Sequence, residues 1–376
     1  MLDNALKNLH KTHKELTLTG RYIHHKMISP LLSKLPSKFK VEEVGKSVEN
    51  NPIHSVTFGH GSKKILMWSQ MHGNESTTTK AVFDLFNTFS SESDTILSIL
   101  DSCCIKIIPI LNPDGAKVYT RINANAIDLN RDAQDRSQPE SQVLRDVFNE
   151  FKPDYCFNLH GQRTIFSAGN SDHPATVSFL APSQDLERSV TKTRKKAMEI
   201  IVKMNEHLQK EIPNQVGIYD DSFNLNCVGD TFQSLDVPTV LFEAGHFQND
   251  YRREETRRFI FESLMVAIAY ISETLIAGEF HASYFEIPKN EKRFYDIIIR
   301  NAAQGAIAIQ FQEQLIANEV HFMPKIKIIS NLNSYYSHKS INARGFEVFG
   351  PNNASISVGN EIDFVIVNNE KFSLFP

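Results

Sequence analysis

Two short segments of the sequence carry the residue types from which metal sites are built. His72 follows a short apolar run at residues 65–68, and Glu75 comes three residues later. His160 follows a second apolar run, at residues 155–159, and precedes a glycine just as His72 does. Catalytic zinc typically takes three protein ligands from histidine and carboxylate side chains and leaves its fourth position for water. These residues therefore predict a zinc site that can activate water.

Neither segment is decisive alone. A His-x-x-Glu pair is more often a surface or helix-capping pair, and a histidine at a strand end is as often structural as ligating. Polar residues also follow two further apolar runs, at residues 112–115 and at Glu243, so such residues occur at the ends of four runs. Open α/β sheets bind ligands beyond the carboxyl ends of their strands, so we expect these side chains to share one crevice.

The elements that must position these side chains alternate along the chain. Apolar runs of strand length recur with helical apolar spacing between them, the runs at residues 65–68, 105–111, 155–159 and 239–242 and the helical segments at residues 77–89, 140–151, 184–210 and 252–275. This alternation predicts an α/β domain whose sheet is buried on both faces. We expect that domain to span residues 46–278, after an N-terminal lead-in over residues 1–45.

The last part of the chain has a different pattern. Over residues 283–376, short β-like segments are separated by Asn, Gly, Ser and Pro. One or two helical turns are expected around residues 312–318. The simplest interpretation is a small β-rich C-terminal domain.

The composition is typical of a soluble globular protein. Of the 376 residues, 41% are hydrophobic and 22% are charged. The formal net charge is −4, from 40 basic and 44 acidic residues, so no bias towards nucleic acid or an anionic membrane is visible. Four cysteines, at positions 103, 104, 156 and 227, lack CxxC spacing and are expected to be buried thiols.

No targeting or membrane-spanning segment is recognisable in the sequence. The N-terminus lacks the apolar core of a signal peptide, and no later segment has the roughly 20 apolar residues that a transmembrane helix needs. We therefore expect a cytoplasmic enzyme without a membrane or nucleic-acid partner. The sequence does not indicate an oligomeric state.

The ordered set of motifs resembles the zinc metallocarboxypeptidases. The similarity covers residues 50–275, and its motifs occur in the order found in that family: His72-Gly-Asn-Glu75, Asn112-Pro-Asp-Gly115, Arg121, Asp128-Leu-Asn-Arg131, His160 and Phe242-Glu-Ala-Gly245. The resemblance implies a three-layer α/β/α domain with a mixed, largely parallel sheet. It also implies one zinc ion per chain, held by His72, Glu75 and His160.

The resemblance assigns roles to further residues. Glu243 would be the general base that takes a proton from the zinc-activated water and delivers it to the leaving amine. Arg121 would polarise the scissile carbonyl, and Asn130 with Arg131 would bind the free C-terminal carboxylate of a peptide. Tyr219, upstream of Glu243, corresponds to a mobile tyrosine in the family.

Some features separate this chain from the digestive and regulatory members of the family. The interval between Glu75 and His160 is shorter than in those enzymes, and no cysteine pairs are evident. These differences favour a bacterial, non-secreted branch. The residues at the predicted pocket floor, 226–228, are uncharged, so a preference for C-terminal Lys or Arg is unsupported unless Asp221 or Asp230 turns inward.

The sequence also resembles a second group of zinc enzymes. The aspartoacylases and succinylglutamate desuccinylases share the HGNE and DLNR motifs and a C-terminal β domain, which implies an N-acyl amino acid substrate instead of a peptide. Residues 112–115, the Asn-Ala-Asn-Ala run at 123–126 and Tyr219 favour the peptidase. A non-catalytic binding module would have lost a ligand or the base, and neither is missing.

Overall fold

The structure is a computed structural model and describes residues 2–376. The helices of this part of the chain are α1 Leu2–His13, α2 His25–Leu32, α3 Thr77–Phe89, α4 Asp94–Ser102, α5 Pro113–Val118, α6 Pro139–Phe151, α7 Lys192–Glu211, α8 Val228–Ser234 and α9 Glu254–Glu273. Short 3-10 helices occur at Leu129–Arg131, His281–Glu286 and Pro351–Asn353.

The strands fall into a first group that precedes α9 and a second group that follows it. The first group is β1 Lys40–Lys46, β2 Pro52–Phe58, β3 Lys63–Ser69, β4 Cys103–Ile108, β5 Tyr155–Gly161, β6 Phe166–Ala168, β7 Val177–Leu180, β8 Val216–Ile218 and β9 Thr239–Ala244. The second group is β10 Asn290–Lys292, β11 Phe294–Arg300, β12 Ala306–Ile316, β13 Glu319–Ser330, β14 Tyr336–Asn342, β15 Val348–Phe349, β16 Phe364–Val367 and β17 Glu370–Ser373.

The central sheet is mixed, and its middle is parallel. Its eight strands have the order β1-β2-β4-β3-β5-β9-β7-β8. The pairs β4-β3, β3-β5 and β5-β9 are parallel, whereas β1-β2, β2-β4 and β7-β9 are antiparallel. The predicted fold class is therefore confirmed. Strand β1 begins inside the segment assigned to the lead-in, and the predicted domain bounds remain a prediction.

Helices cover both faces of the sheet because successive strand side chains point to opposite sides. In β3, Ile65 and Met67 join an apolar core with α3, α7 and α9. Leu66 and Trp68 point the other way and pack with α6 and α8. Trp68 meets Phe232 of α8 edge-on, at 5.3 Å between ring centroids. The sheet is thus the middle of three layers.

The C-terminal region is β-rich, as predicted, but the helical turns expected around residues 312–318 are wrong. Strands β12 and β13 pair along their whole length as one long hairpin. Ala317 and Asn318 form its turn, and both have positive φ, at 49° and 67°, as in the tight turns that suit the twist of hairpin strands. Cross-strand pairing therefore outweighed the weak helical pattern of this segment.

The four cysteines are free; Cys103 and Cys156 are buried, and Cys104 and Cys227 are half-buried. Among the helices of residues 2–376, none combines the length and the apolar character that a membrane span requires.

Candidate metal and active site

The carboxyl ends of β3, β5 and β9 bring the candidate residues to one edge of the sheet. His160 and Glu243 are register partners on neighbouring parallel strands. His72 lies in the loop after β3, and Glu75 lies just before α3. Gly73 lets this loop pass close to α5, because a Cβ there would lie 2.0 Å from the Gly115 carbonyl carbon. The loop geometry thus requires a glycine beside the first histidine.

Three electron-pair donors converge in this crevice. Glu75 Oε1 lies 2.9 Å from His72 Nδ1, and Glu75 Oε2 lies 3.0 Å from His160 Nδ1. The two Nδ1 atoms are 3.1 Å apart. Both histidines are 2% exposed. These are the three residues for which the sequence predicts a metal-binding role.

The donor set fits zinc. Two neutral imidazole nitrogens that face each other across a carboxylate would present only lone pairs to one another, and a divalent cation would satisfy all three groups at once. Two histidines and one carboxylate are also a ligand set of catalytic zinc sites. Within the described residues, His72, Glu75 and His160 form a cluster able to hold a metal ion.

Asp128 contacts His72 on the ring nitrogen that is not used by Glu75. The sequence did not predict this role. His72 Nε2 lies 3.0 Å from Asp128 Oδ1, and Arg121 Nε donates to Asp128 Oδ2 at 3.0 Å. A carboxylate on the far ring nitrogen fixes the tautomer and the orientation of a metal-binding histidine. The motif Asp128-Leu-Asn-Arg131 contained this residue, but nothing in its spacing indicated the partner.

Electrostatics hold the carboxylates of the metal cluster in their charged form. Burial by itself would raise the pKa of Glu75, but attraction to His72 and hydrogen bonding to His160 outweigh it and lower that pKa well below its usual value. Burial is likewise outweighed at Asp128, where the hydrogen bond to His72 lowers the pKa. Charged carboxylates suit a site built for a cation.

Glu243 has the environment expected of a proton acceptor in a low-dielectric wall. Its side chain lines the same crevice as the metal cluster, and its Oε2 is buried without a hydrogen-bond partner. Burial, and then repulsion by the Glu75 carboxylate, raise the pKa of Glu243 well above its ordinary value. Positive charge from a divalent cation on the neighbouring ligands would counteract this rise.

The four residues assigned to substrate handling line the same cleft, whose volume is about 1140 Å³. Arg121 is half exposed, and its Nη1 lies 3.4 Å from Glu75 Oε1. Asn130 is buried, and its Oδ1 accepts a hydrogen bond from the amide at the start of α8. Arg131 is exposed and donates from Nη1 to Cys227 Sγ at 3.2 Å. The ring of Tyr219 packs against that of Phe166.

The two aspartates named for side-chain specificity differ in their placement. Asp221 is bound to Arg194 at 2.6 Å, so its charge is already compensated. Asp230 lines the cleft and accepts a hydrogen bond from the Asn224 amide, and burial raises its pKa to about 7. Of the two, only Asp230 lines the cleft.

The opposite wall of the cleft comes from the β12–β13 hairpin, which the sequence analysis did not connect with the site. Six of the lining residues belong to it: Gln310, Phe311, Gln312, Glu313, Phe322 and Lys327. Glu313 is anchored by Arg21 at 3.0 Å and by the Tyr119 hydroxyl at 2.5 Å. The rings of Phe311 and Phe322 pack against Tyr251. The hairpin thus closes one side of the cleft.

Comparison with known proteins agrees with the geometry. The family model described as zinc carboxypeptidase matches residues 24–226, which is just over half of the chain. The chain belongs to the zinc carboxypeptidase family. The members of this family are zinc-dependent hydrolases. The family predicted from the order of the motifs is therefore confirmed by the match of the family model.

Individual relatives match over shorter segments. Carboxypeptidase 2 of Trichophyton rubrum is 26% identical over 115 residues, which are 30% of this chain and 21% of that protein. Carboxypeptidase E of Caenorhabditis elegans is 28% identical over 151 residues, 33% of this chain and 32% of that protein. The matched segments therefore span well under two thirds of these curated relatives.

Solved structures agree in fold. A metallo-carboxypeptidase from Burkholderia cenocepacia superposes with a TM-score of 0.53 at 20% identity, covering 66% of this chain and 68% of that one. The carboxypeptidase A of Helicoverpa armigera gives a TM-score of 0.53 at 17% identity, covering 72% of this chain and 80% of that one.

Proposed function

We propose that this protein is a carboxypeptidase that binds one zinc ion per chain and hydrolyses the C-terminal amide bond of peptides. The observation that carries the proposal is the convergence of His72, Glu75 and His160 beside Glu243 at one edge of the sheet. Ligands and base come from three separate strand ends, so only the folded chain can assemble them.

The roles of the individual residues follow from their placement. Zinc, when bound, supplies a Lewis acid that lowers the pKa of water and polarises a carbonyl. Glu243 accepts the proton of the attacking water and passes it to the leaving amine, since it faces the cleft with an oxygen free of hydrogen bonds. Arg121 faces the developing negative charge of the carbonyl oxygen and stabilises it.

The carboxylate of the substrate would bind at Asn130 and Arg131. Among the described residues, no carboxylate lies within ion-pair distance of Arg131, whose guanidinium contacts Cys227 and a backbone carbonyl instead. A planar guanidinium that faces a cleft without an acidic partner suits a terminal carboxylate. Tyr219, across the cleft, would pack over the bound residue.

A second candidate, hydrolysis of N-acyl amino acids, is favoured by one observation. The β12–β13 hairpin walls the cleft and is tied to the N-terminal segment through Glu313 and Arg21. A cleft closed on that side favours short acyl groups. The same zinc centre would perform this reaction, so the two candidates differ in substrate length and not in chemistry.

Product analysis separates the two candidates. The purified protein is incubated with N-acetylated tri- and tetrapeptides and with matched N-acetyl amino acids, and the products are identified by mass spectrometry. A carboxypeptidase releases one C-terminal residue from the peptides, and the release stops with a chelator and returns with zinc. Cleavage of N-acetyl amino acids alone would favour the deacylase, and no zinc-dependent cleavage of either would contradict both.

A further inference from the structure

Two buried guanidinium groups lie in the cleft wall, outside the residues assigned so far. Arg253 is 1% exposed, and the side chain of Arg21 is 10% exposed. Both line the same cleft as the zinc ligands. Buried cations are costly unless they are paired and hydrogen-bonded, so their partners determine what this wall can bind.

Arg253 has no anionic partner. Its terminal nitrogens donate to the backbone carbonyls of Gln162, Ala244 and Gly245, and its Nε is buried without a partner. Within residues 5–376, no carboxylate lies within ion-pair distance of it. Three carbonyls orient the guanidinium, and the carboxylates of Glu313 and Asp250 act on its charge only from a distance, without a hydrogen bond.

Arg21 is only partly satisfied. Its Nη2 contacts both oxygens of Glu313, at 3.1 and 3.0 Å, whereas Nε and Nη1 are buried without partners. The Glu313 carboxylate also accepts a hydrogen bond from Tyr119. The Glu313 carboxylate is therefore shared with a hydroxyl, while three nitrogens of the two guanidiniums have no hydrogen-bond partner.

The two cations are close enough to perturb each other. Burial, and then repulsion by Arg21, lower the pKa of Arg253 to about 10, although attraction to Glu313 and Asp250 opposes the shift. The other carboxyl of this wall, Asp296, is already bonded to the Tyr251 hydroxyl and to the Phe311 amide. Asp250, which attracts both arginines, accepts hydrogen bonds from the first amides of α9 instead of pairing with either guanidinium.

The pair lies beside the zinc centre but apart from the predicted site for the C-terminal carboxylate. The Arg253 guanidinium donates to the backbone carbonyl of Ala244, the neighbour of Glu243. The backbone carbonyl of Arg21 accepts a hydrogen bond from the hydroxyl of Ser76, the neighbour of Glu75. Arg131, by contrast, contacts Cys227 at the start of α8. A substrate held by Arg131 at its leaving end would therefore extend its acyl part towards Arg21 and Arg253.

We propose that Arg21 and Arg253 form a second anion subsite, which binds a carboxylate on the acyl side of the substrate. The proposal rests on the proposed function, because it needs a scissile bond at the zinc centre. It narrows the substrate class to short peptides or acyl amino acids that carry a carboxylate at both ends. Guanidinium groups match the planar carboxylate through paired N–H donors.

The test compares two nearly isosteric substrates, acetyl-Glu-X and acetyl-Gln-X, where X is the C-terminal residue that the enzyme releases best. The native enzyme should prefer the Glu substrate in kcat/KM by roughly 10- to 100-fold, the range expected for hydrogen bonds to a charged group. Arg21→Gln should reduce this ratio to near 1, and Arg253→Gln should do the same if it folds.

Arg258→Gln is the matched control. Arg258 is also largely buried, but it pairs with Glu262 of α9 and Glu211 of α7 and does not line the cleft, so its loss should leave the ratio as in the native enzyme. A native ratio near 1, or an unchanged ratio in Arg21→Gln, would overturn the anion subsite while the hydrolase function stands.

Binding separates failure of the subsite from failure of the function. If neither peptide is cleaved, the proposed function fails, and calorimetry with the zinc-loaded native protein still tests the subsite. Tighter binding of acetyl-Glu-X than acetyl-Gln-X, lost in Arg21→Gln, would support it. Equal binding of the two peptides would overturn it.

Discussion

The two walls of the cleft are built by different means. The sheet wall consists of residues that directly follow strands, so His72, His160 and Glu243 are positioned by the register of β3, β5 and β9. The hairpin wall consists of residues far along the chain, which reach the cleft through packing on Tyr251 and Arg21. We therefore propose that the sheet wall carries the chemistry and that the hairpin wall limits what can reach it.

The walls also differ in charge. On the sheet wall, the carboxylates of Glu75 and Asp128 each contact a ring nitrogen of His72. The hairpin wall, by contrast, contributes the Glu313 carboxylate to Arg21, and the guanidiniums of Arg21 and Arg253 beside it keep nitrogens without a hydrogen-bond partner. If this contrast is functional, mutations in the first wall should affect the reaction itself, and mutations in the second should affect substrate choice.

The largest effect is expected from removing a ligand of the sheet wall. His160→Ala leaves two ligands where three are needed, so it should lose most of its zinc and nearly all activity. Metal analysis of the purified protein should give about one zinc per chain for the native enzyme. His60→Ala, at an exposed position, should keep the metal. Full zinc in His160→Ala would mean that the third ligand is misassigned.

Next is the base. Glu243→Gln preserves the shape of the side chain but cannot accept a proton, so activity should fall by roughly 100-fold or more. Zinc content and thermal stability should remain close to native, because the base does not bind the metal. A rate close to native on any cleaved peptide would exclude Glu243 from this role.

A smaller effect is expected from Asp128, which contacts His72. Asp128→Asn weakens the orientation of His72 without removing a ligand, so the zinc affinity should fall by roughly 10- to 100-fold. Competition with a chelator of known affinity measures this change. Asp101→Asn, which replaces an exposed carboxylate, is the control. Equal affinities in native enzyme and Asp128→Asn would show that the contact contributes nothing to metal binding.

The hairpin wall should give the smallest change in rate but a change in substrate length. Phe322→Ala removes a ring that lines the cleft and packs on Tyr251, so cleavage of longer peptides should improve a few-fold relative to dipeptides. Phe346→Ala, on the exposed side of the C-terminal region, should leave this ratio unchanged. An unchanged ratio in Phe322→Ala would mean that this part of the hairpin does not limit length.

The sequence predicted the residues of the sheet wall but not those of the hairpin wall. Each ligand and the base lie within a few residues of the strand that positions them. The spacing of polar residues after apolar runs therefore predicted His72, Glu75, His160 and Glu243. The hairpin wall depends on contacts such as that between Glu313 and Arg21, which are distant in sequence and have no local signal. The helical turns expected within β12 failed for the same reason, since the deciding partner was another strand.

The most direct test of the central claim compares one N-acetylated tripeptide with its C-terminal amide, using the zinc-loaded native enzyme and Arg131→Gln. The native enzyme should release the last residue from the free acid and leave the amide intact, because the amide cannot compensate the charge of Arg131. In Arg131→Gln, turnover of the free acid should fall towards that of the amide. Equal cleavage of acid and amide by the native enzyme would contradict the assignment as a carboxypeptidase.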